Sequence, residues 1–359
     1  MYKMMTPGPT QVRENVRMAR SLEFQNPDLD ADFCEYYKET CLLASELLHT
    51  KNETLILDGE GILGLEAACA SITEPGDKVL VLDNGLYGES FKDFVIMYGG
   101  EPVLYTTDYR HPIDPDALAE YLKDNHDFKY ATVVHCDTPS GMLNDISKIC
   151  PLLKSYGILT VVDSVSAMFG EEVRADDYQI DILCGGSQKA ISAPPGLTLV
   201  TISQDAKDVM AARKTPIASF YANLKVFEHY YEEKWFPYTM PASDIYGLRQ
   251  ALENLKAEPD HLNRHARVAE KTRTALKEMG LTLYPDSGYS NTVTTFQVPE
   301  GFTDREILDQ MRYDYNILLA GSFGCFGGKL IRIGHMGESA NEKDVDEVLH
   351  ALKEILKKK

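Results

Sequence analysis

The chain has no apolar run approaching the ~18 residues that a membrane-spanning helix needs. Its opening residues, Met-Tyr-Lys-Met-Met-Thr-Pro-Gly-Pro-Thr, lack the apolar centre of a secretory leader. Its seven cysteines (34, 41, 69, 136, 150, 184 and 325) form no Cys-x-x-Cys pair, and several sit inside apolar runs. That is the pattern of reduced, mostly buried thiols in a cytoplasmic protein, and no metal site is expected. Basic residues are scarce, 36 against 55 acidic, for a net charge of −19. Such a balance argues against nucleic acid or an anionic membrane as partner. There is one tryptophan, and there are no internal repeats or low-complexity stretches.

The 359 residues are 44% hydrophobic and 25% charged. They can bury a sizeable core and exceed one ordinary domain, so a large domain with a smaller one attached is expected. Strand-like runs start at Thr54, Lys78, Tyr130, Ile158, Ile180 and Leu197. Helices are expected over Ala31 to Leu48, Met210 to Thr215, Asp244 to Lys256 and Leu262 to Met279. From Thr282 the pattern is strand (Thr292 to Val298), helix (Asp304 to Asp314), strand (Leu330 to Ile333) and helix (Asp344 to Lys357), a smaller α+β unit. The expected division is an arm over 1–15, a large domain over 16–250 and a small one over 251–359.

Chemistry concentrates at Lys189. An apolar run ending at Cys184 empties into Gly-Gly-Ser-Gln-Lys-Ala, and Ser-Ala-Pro-Pro-Gly then leads to a second apolar run. A lysine in a small-residue turn between two core strands is desolvated, which lowers its pKa and frees the amine to attack a carbonyl. Upstream, Ile158-Leu-Thr-Val-Val ends in Asp163, where open α/β sheets collect ligands. A lysine with a carboxylate for a ring nitrogen is the pair that pyridoxal phosphate uses. At Thr54-Leu-Ile-Leu-Asp-Gly-Glu-Gly-Ile a strand, glycine turn and helix follow one another. The amides of Gly61 and Ile62 are expected to cradle a phosphate at that helix start, with Glu60 turned away from it. Arg332, in the alternating strand Lys-Leu-Ile-Arg-Ile-Gly-His, is costly to bury without a carboxylate to hold. His135 reads as a structural histidine.

Gly-Ser-Gln-Lys-Ala with Pro-Pro-Gly after it and Val-Asp-Ser-Val-Ser before it resembles the class V aminotransferases of fold type I, from Thr6 to about residue 355. The resemblance is to alanine/serine–glyoxylate (or pyruvate) transaminases and to 2-aminoethylphosphonate–pyruvate transaminase. It implies a mostly parallel seven-stranded sheet between helices, with a smaller C-terminal α+β domain. It implies pyridoxal 5′-phosphate as cofactor, held by Lys189 as a Schiff base, with Asp163 keeping the ring nitrogen protonated. By the same resemblance Tyr87 stacks on the ring, Thr138 bonds its oxygen, and Val165 contributes to the cofactor site. The phosphate is held by the helix near Gly61, by Ser187 or Gln188, and by Thr239 crossing a homodimer interface. Gly8 of the arm lies near the substrate and Arg332 grips its α-carboxylate. The chain departs from the common Gly-Ser-Gly-Thr cradle at Glu60 and Ile62, and has Phe236 where a tyrosine usually stands. A cysteine desulfurase-like lyase is a second reading, prompted by Cys325 on a glycine-rich loop. Gln188 and Tyr87 stand where such lyases carry histidines. A non-catalytic binder of the same cofactor is the third.

Overall fold

In the computed structural model, which describes residues 2–23 and 25–358, the chain builds a central sheet first and a small one last. Met1 and Lys359, the outer ends of the expected arm and small domain, lie outside the described residues, as does Phe24. The large sheet contains β1 (Thr54–Asp58), β2 (Lys78–Asp83), β3 (Glu101–Thr106), β4 (Tyr130–Val134), β5 (Leu159–Asp163), β6 (Ile182–Gly186) and β7 (Leu197–Ile202). Their order is β1-β7-β6-β5-β4-β2-β3, parallel except for β7, which runs against both its neighbours. β4, β5 and β6 are buried along their whole length, as central parallel strands covered on both faces must be.

The run from Tyr130 breaks after Val134. Cys136–Asp137 then pairs with Met142–Leu143 in a hairpin of its own. β6 continues through Gly185 and Gly186, beyond the expected end at Cys184. A helix expected over Met210 to Thr215 lies earlier, at Gln204–Ala211, because Ser203 caps its start by accepting from the Ala206 amide. Arg213 instead donates to the carbonyls of Ser71 and Thr73, closing the C-terminal end of another helix.

Helices α1 (Ala31–Leu47), α2 (Gly61–Ile72) and α3 (Leu86–Met97) pack on the large sheet, and α4 (Ala242–Lys256) packs on α1. α5 (His261–Glu278), α6 (Asp304–Tyr315) and α7 (Glu342–Leu356) gather around a small antiparallel sheet. That sheet has β8 (Val293–Gln297), β9 (Ala320–Gly321) and β10 (Leu330–Gly334), in the order β8-β10-β9. One apolar cluster runs from Val16 to Leu255 and a second from Val268 to Ile355. Met5 joins the second, because Lys3–Met4 pairs in parallel with Ile317–Leu318. Among the described residues no helix is long and apolar enough to cross a membrane.

Candidate active site

The carboxyl ends of β4, β5 and β6 deliver the polar groups. β6 runs into the turn Ser187–Ala190, which carries Lys189. Its Nζ donates to the Pro7 carbonyl at 2.6 Å. The arm is pinned over it on both sides: Thr10 Oγ1 donates to the Lys189 carbonyl at 3.0 Å, and the Gly334 amide donates to Met5. Gly8 has φ of +100°, and a Cβ there would lie 2.6 Å from Lys189 Cδ. Only glycine lets the arm come this close. Burial pushes the Lys189 ammonium below its ordinary range. Asp163 opposes that shift.

Asp163 ends β5 with 5% of its surface exposed. Among the described residues its carboxylate accepts one hydrogen bond, from the Val165 amide at 2.9 Å. No described cation lies within ion-pair distance of it. Burial raises its pKa to about 6, against the opposing pull of the Val165 amide and of Lys189. Gly61 packs on Val165: a Cβ at that glycine would stand 2.7 Å from the valine Cγ2. That contact brings the start of α2 to the end of β5.

Tyr87 opens α3 beside these groups. Its hydroxyl lies near the buried Thr138, and its ring lies 6.0 Å from that of Phe323. Arg332, 9% exposed at the middle of β10, donates from Nε and Nη2 to the Gly321 carbonyl, at 2.9 and 2.7 Å. It forms no ion pair with a described carboxylate. Burial lowers its pKa, partly offset by Tyr87 and Asp137. A buried guanidinium with donors to spare is shaped for an incoming carboxylate.

Three expectations meet a different geometry. Glu60 does not turn away. It caps α2, Oε1 accepting from the Ile62 amide at 3.2 Å and Oε2 from Gln188 Nε2 at 3.0 Å. A carboxylate is the natural cap for the positive end of a helix. The Ile62 amide is therefore already engaged. Ser187 is committed to its own turn, donating to the Pro194 carbonyl at 2.6 Å and accepting from the Leu197 amide. Thr239, expected to serve a partner's site, stands on the surface and donates to Asp28 at 2.8 Å.

Other residues enter that the sequence did not single out. Asp137, buried, accepts from the Tyr87 amide at 3.0 Å and from Ser140 Oγ at 2.6 Å, so one carboxylate fixes both α3 and the turn holding Thr138. Asp-Thr-Pro-Ser-Gly is a turn signal that could have flagged it. The Pro7 carbonyl and Phe323 carry no such mark. His135 is buried against Ser164, with burial holding its pKa down to about 3, and stays neutral.

A pyridine aldehyde fits part of this site. Lys189 can bond its carbonyl carbon, Asp163 lacks the cation a ring nitrogen would supply, and Tyr87 offers a face. The groups expected to hold a phosphate do not fit as they stand: Ile62 and Ser187 are engaged within the protein, and Glu60 brings an acceptor.

A family model described as Aminotransferase class-V matches residues 16–319. Pyridoxamine–pyruvate transaminase of Mesorhizobium japonicum is 35% identical over 343 residues, 94% of this chain and 86% of that protein. Alanine–glyoxylate aminotransferase of Callithrix jacchus is 30% identical over 376 residues, 98% of this chain and 87% of that one. The crystal structure of ureidoglycine–glyoxylate aminotransferase from Bacillus subtilis matches with a TM-score of 0.96 at 30% identity, covering 100% of this chain and 93% of that one. Lysine and aspartate meet at the strand ends of a fold shared with these transaminases, and the chain belongs to the class V aminotransferases, a pyridoxal phosphate-dependent family.

Proposed function

We propose that the chain moves an amino group from a small amino acid, alanine or serine, to a 2-oxo acid such as glyoxylate or pyruvate, on a pyridoxal-type ring held by Lys189. One observation carries this. A buried guanidinium without an anion, Arg332, and a buried carboxylate without a cation, Asp163, flank one amine. The ring, when bound, supplies an electron sink for the carbanion formed at the amino acid's Cα. Lys189 Nζ, with its pKa lowered by burial, takes the Cα proton and returns it on the other side of the exchange. Asp163 would hold a proton on the nitrogen of such a ring. Arg332 orients the α-carboxylate with its unspent N–H donors, and Tyr87 covers the ring. The arm at Pro7 and Gly8 keeps the amine from bulk water.

Glyoxylate and pyruvate are the acceptors named in the three relatives, which supports the acceptor class. The donor is tested by offering alanine, serine, ureidoglycine and 2-aminoethylphosphonate in turn, with glyoxylate or pyruvate. Chromatography then follows the new amino acid. Glycine formed from glyoxylate with alanine or serine as donor, or alanine formed from pyruvate with serine as donor, is expected. No transfer from either would overturn the donor assignment.

The same reading makes the protein a homodimer in which Thr239 reaches the partner's site. Its support is an aromatic surface beside that threonine, with Trp235 at 54% exposed and Phe220 at 61%. It also places domain boundaries near residues 15 and 250, consistent with the two apolar clusters, and the protein in the cytoplasm, consistent with six buried free cysteines.

A further inference from the structure

Two acceptors face the place where donors would be needed. Glu60 takes the Ile62 amide and the Gln188 amide nitrogen, and no described lysine or arginine pairs with it. Glu60 is exposed to solvent, yet its charge favours the Lys189 ammonium and disfavours ionisation of Asp163, so it borders the site. Gln188 is 8% exposed, and with its Nε2 given to Glu60 its Oε1 is buried without any partner. A buried acceptor left unpaired is costly until a donor arrives. Ser187, the nearest hydroxyl in the turn, is spent on Pro194. A phosphate dianion brings only acceptors and a second negative charge to this corner. A hydroxyl brings one donor and no charge.

We propose that this site selects a pyridoxal-type ring bearing an uncharged hydroxymethyl arm over the same ring bearing a 5′-phosphate, with Glu60 as the specificity-determining residue. The inference rests on the ring chemistry assigned above. The hydroxyl donates to Glu60 or to Gln188 Oε1, completing a network that the protein leaves one donor short. The helix start keeps its own carboxylate cap throughout, so α2 needs no external anion. The attachment at Lys189 is common to both ring forms, and their affinity ratio therefore isolates the far end of the ring.

The test is calorimetric titration of the whole protein with pyridoxal and with pyridoxal 5′-phosphate, for wild type and Glu60→Ser. Serine is itself a good helix cap, so α2 keeps its start. Wild type is expected to bind pyridoxal about tenfold or more tightly than the phosphate ester, the scale of one charge-assisted contact. Glu60→Ser should move the ratio toward the phosphate ester by about a hundredfold, as a repulsion is lost and amides are freed. Glu60→Gln, which keeps the shape and removes the charge, should move it the same way by less. A wild-type preference for the phosphate ester overturns the proposal whatever the variants do. An unchanged ratio in both variants removes Glu60 from it. Failure of wild type to bind either compound overturns the ring assignment itself, a different result from an inverted preference.

Discussion

The two ends of the large sheet's central strands treat a buried aspartate in opposite ways. At the amino end of β6, Asp181 accepts from Lys154 Nζ at 2.5 Å, from the Thr160 amide at 3.0 Å and from Ser203 Oγ at 3.0 Å. At the carboxyl end of β5, Asp163 is buried almost as deeply and has a single backbone amide. The first carboxylate is satisfied by the fold and ties a helix and two strands together. The second is left short, and folding carries the cost. An unsatisfied buried carboxylate at one strand end and a satisfied one at the other mark where chemistry is done and where stability is kept.

The sharpest break in that comparison is Lys189→Ala. It should keep the fold and lower turnover by about a thousandfold or more, the scale of losing a general acid–base group. Steady-state kinetics beside an unchanged circular dichroism melt would check it, and near-normal turnover would remove Lys189 from the mechanism. Arg332→Ala should cost about a hundredfold in kcat/KM for the amino acid, mostly through KM, as one charge-assisted pair is lost. Loss confined to kcat would mean the guanidinium does not hold substrate.

Asp163→Asn and Asp181→Asn should then part company in stability. Asp181→Asn leaves Lys154 without its buried partner and should cost about 3 kcal/mol in denaturant melts, with activity per folded molecule retained. Asp163 has a folded pKa of about 6 against an ordinary 3.8. Its folded form therefore binds the proton more readily, and ring-free protein should lose stability as pH rises from about 4 to 6, by at most about 3 kcal/mol. Asp163→Asn should abolish that slope, gain stability at pH 8 and lose activity. A pH-independent wild type would show that the carboxylate is not strained. Cys325→Ser, on an exposed turn, should change transfer by no more than about twofold. A large loss would revive the lyase reading.

Lys189, Asp163 and Arg332 were legible because each ends or interrupts an apolar run, and local pattern alone places such residues at strand ends or in a buried strand. The alternation of strands and helices carried the fold in the same way. What escaped were bonds to partners far along the chain. Nothing near Ser187 announces that its hydroxyl belongs to Pro194, and nothing near Arg213 points to the carbonyls at the end of α2. Glu60 drew notice as an unusual residue, but its direction followed from helix capping, which outweighed the expected repulsion from a phosphate.

Residues 3–10 behave as a drawstring. One end is woven into the small sheet's neighbourhood at Ile317–Leu318, the middle lies across Lys189, and Thr10 is knotted to the turn that carries it. Drawing the small sheet away from the large one would therefore pull on the Pro7 carbonyl that holds the amine. Opening the site and uncovering its nucleophile become one motion, and cutting the string would leave the lysine wet in either position.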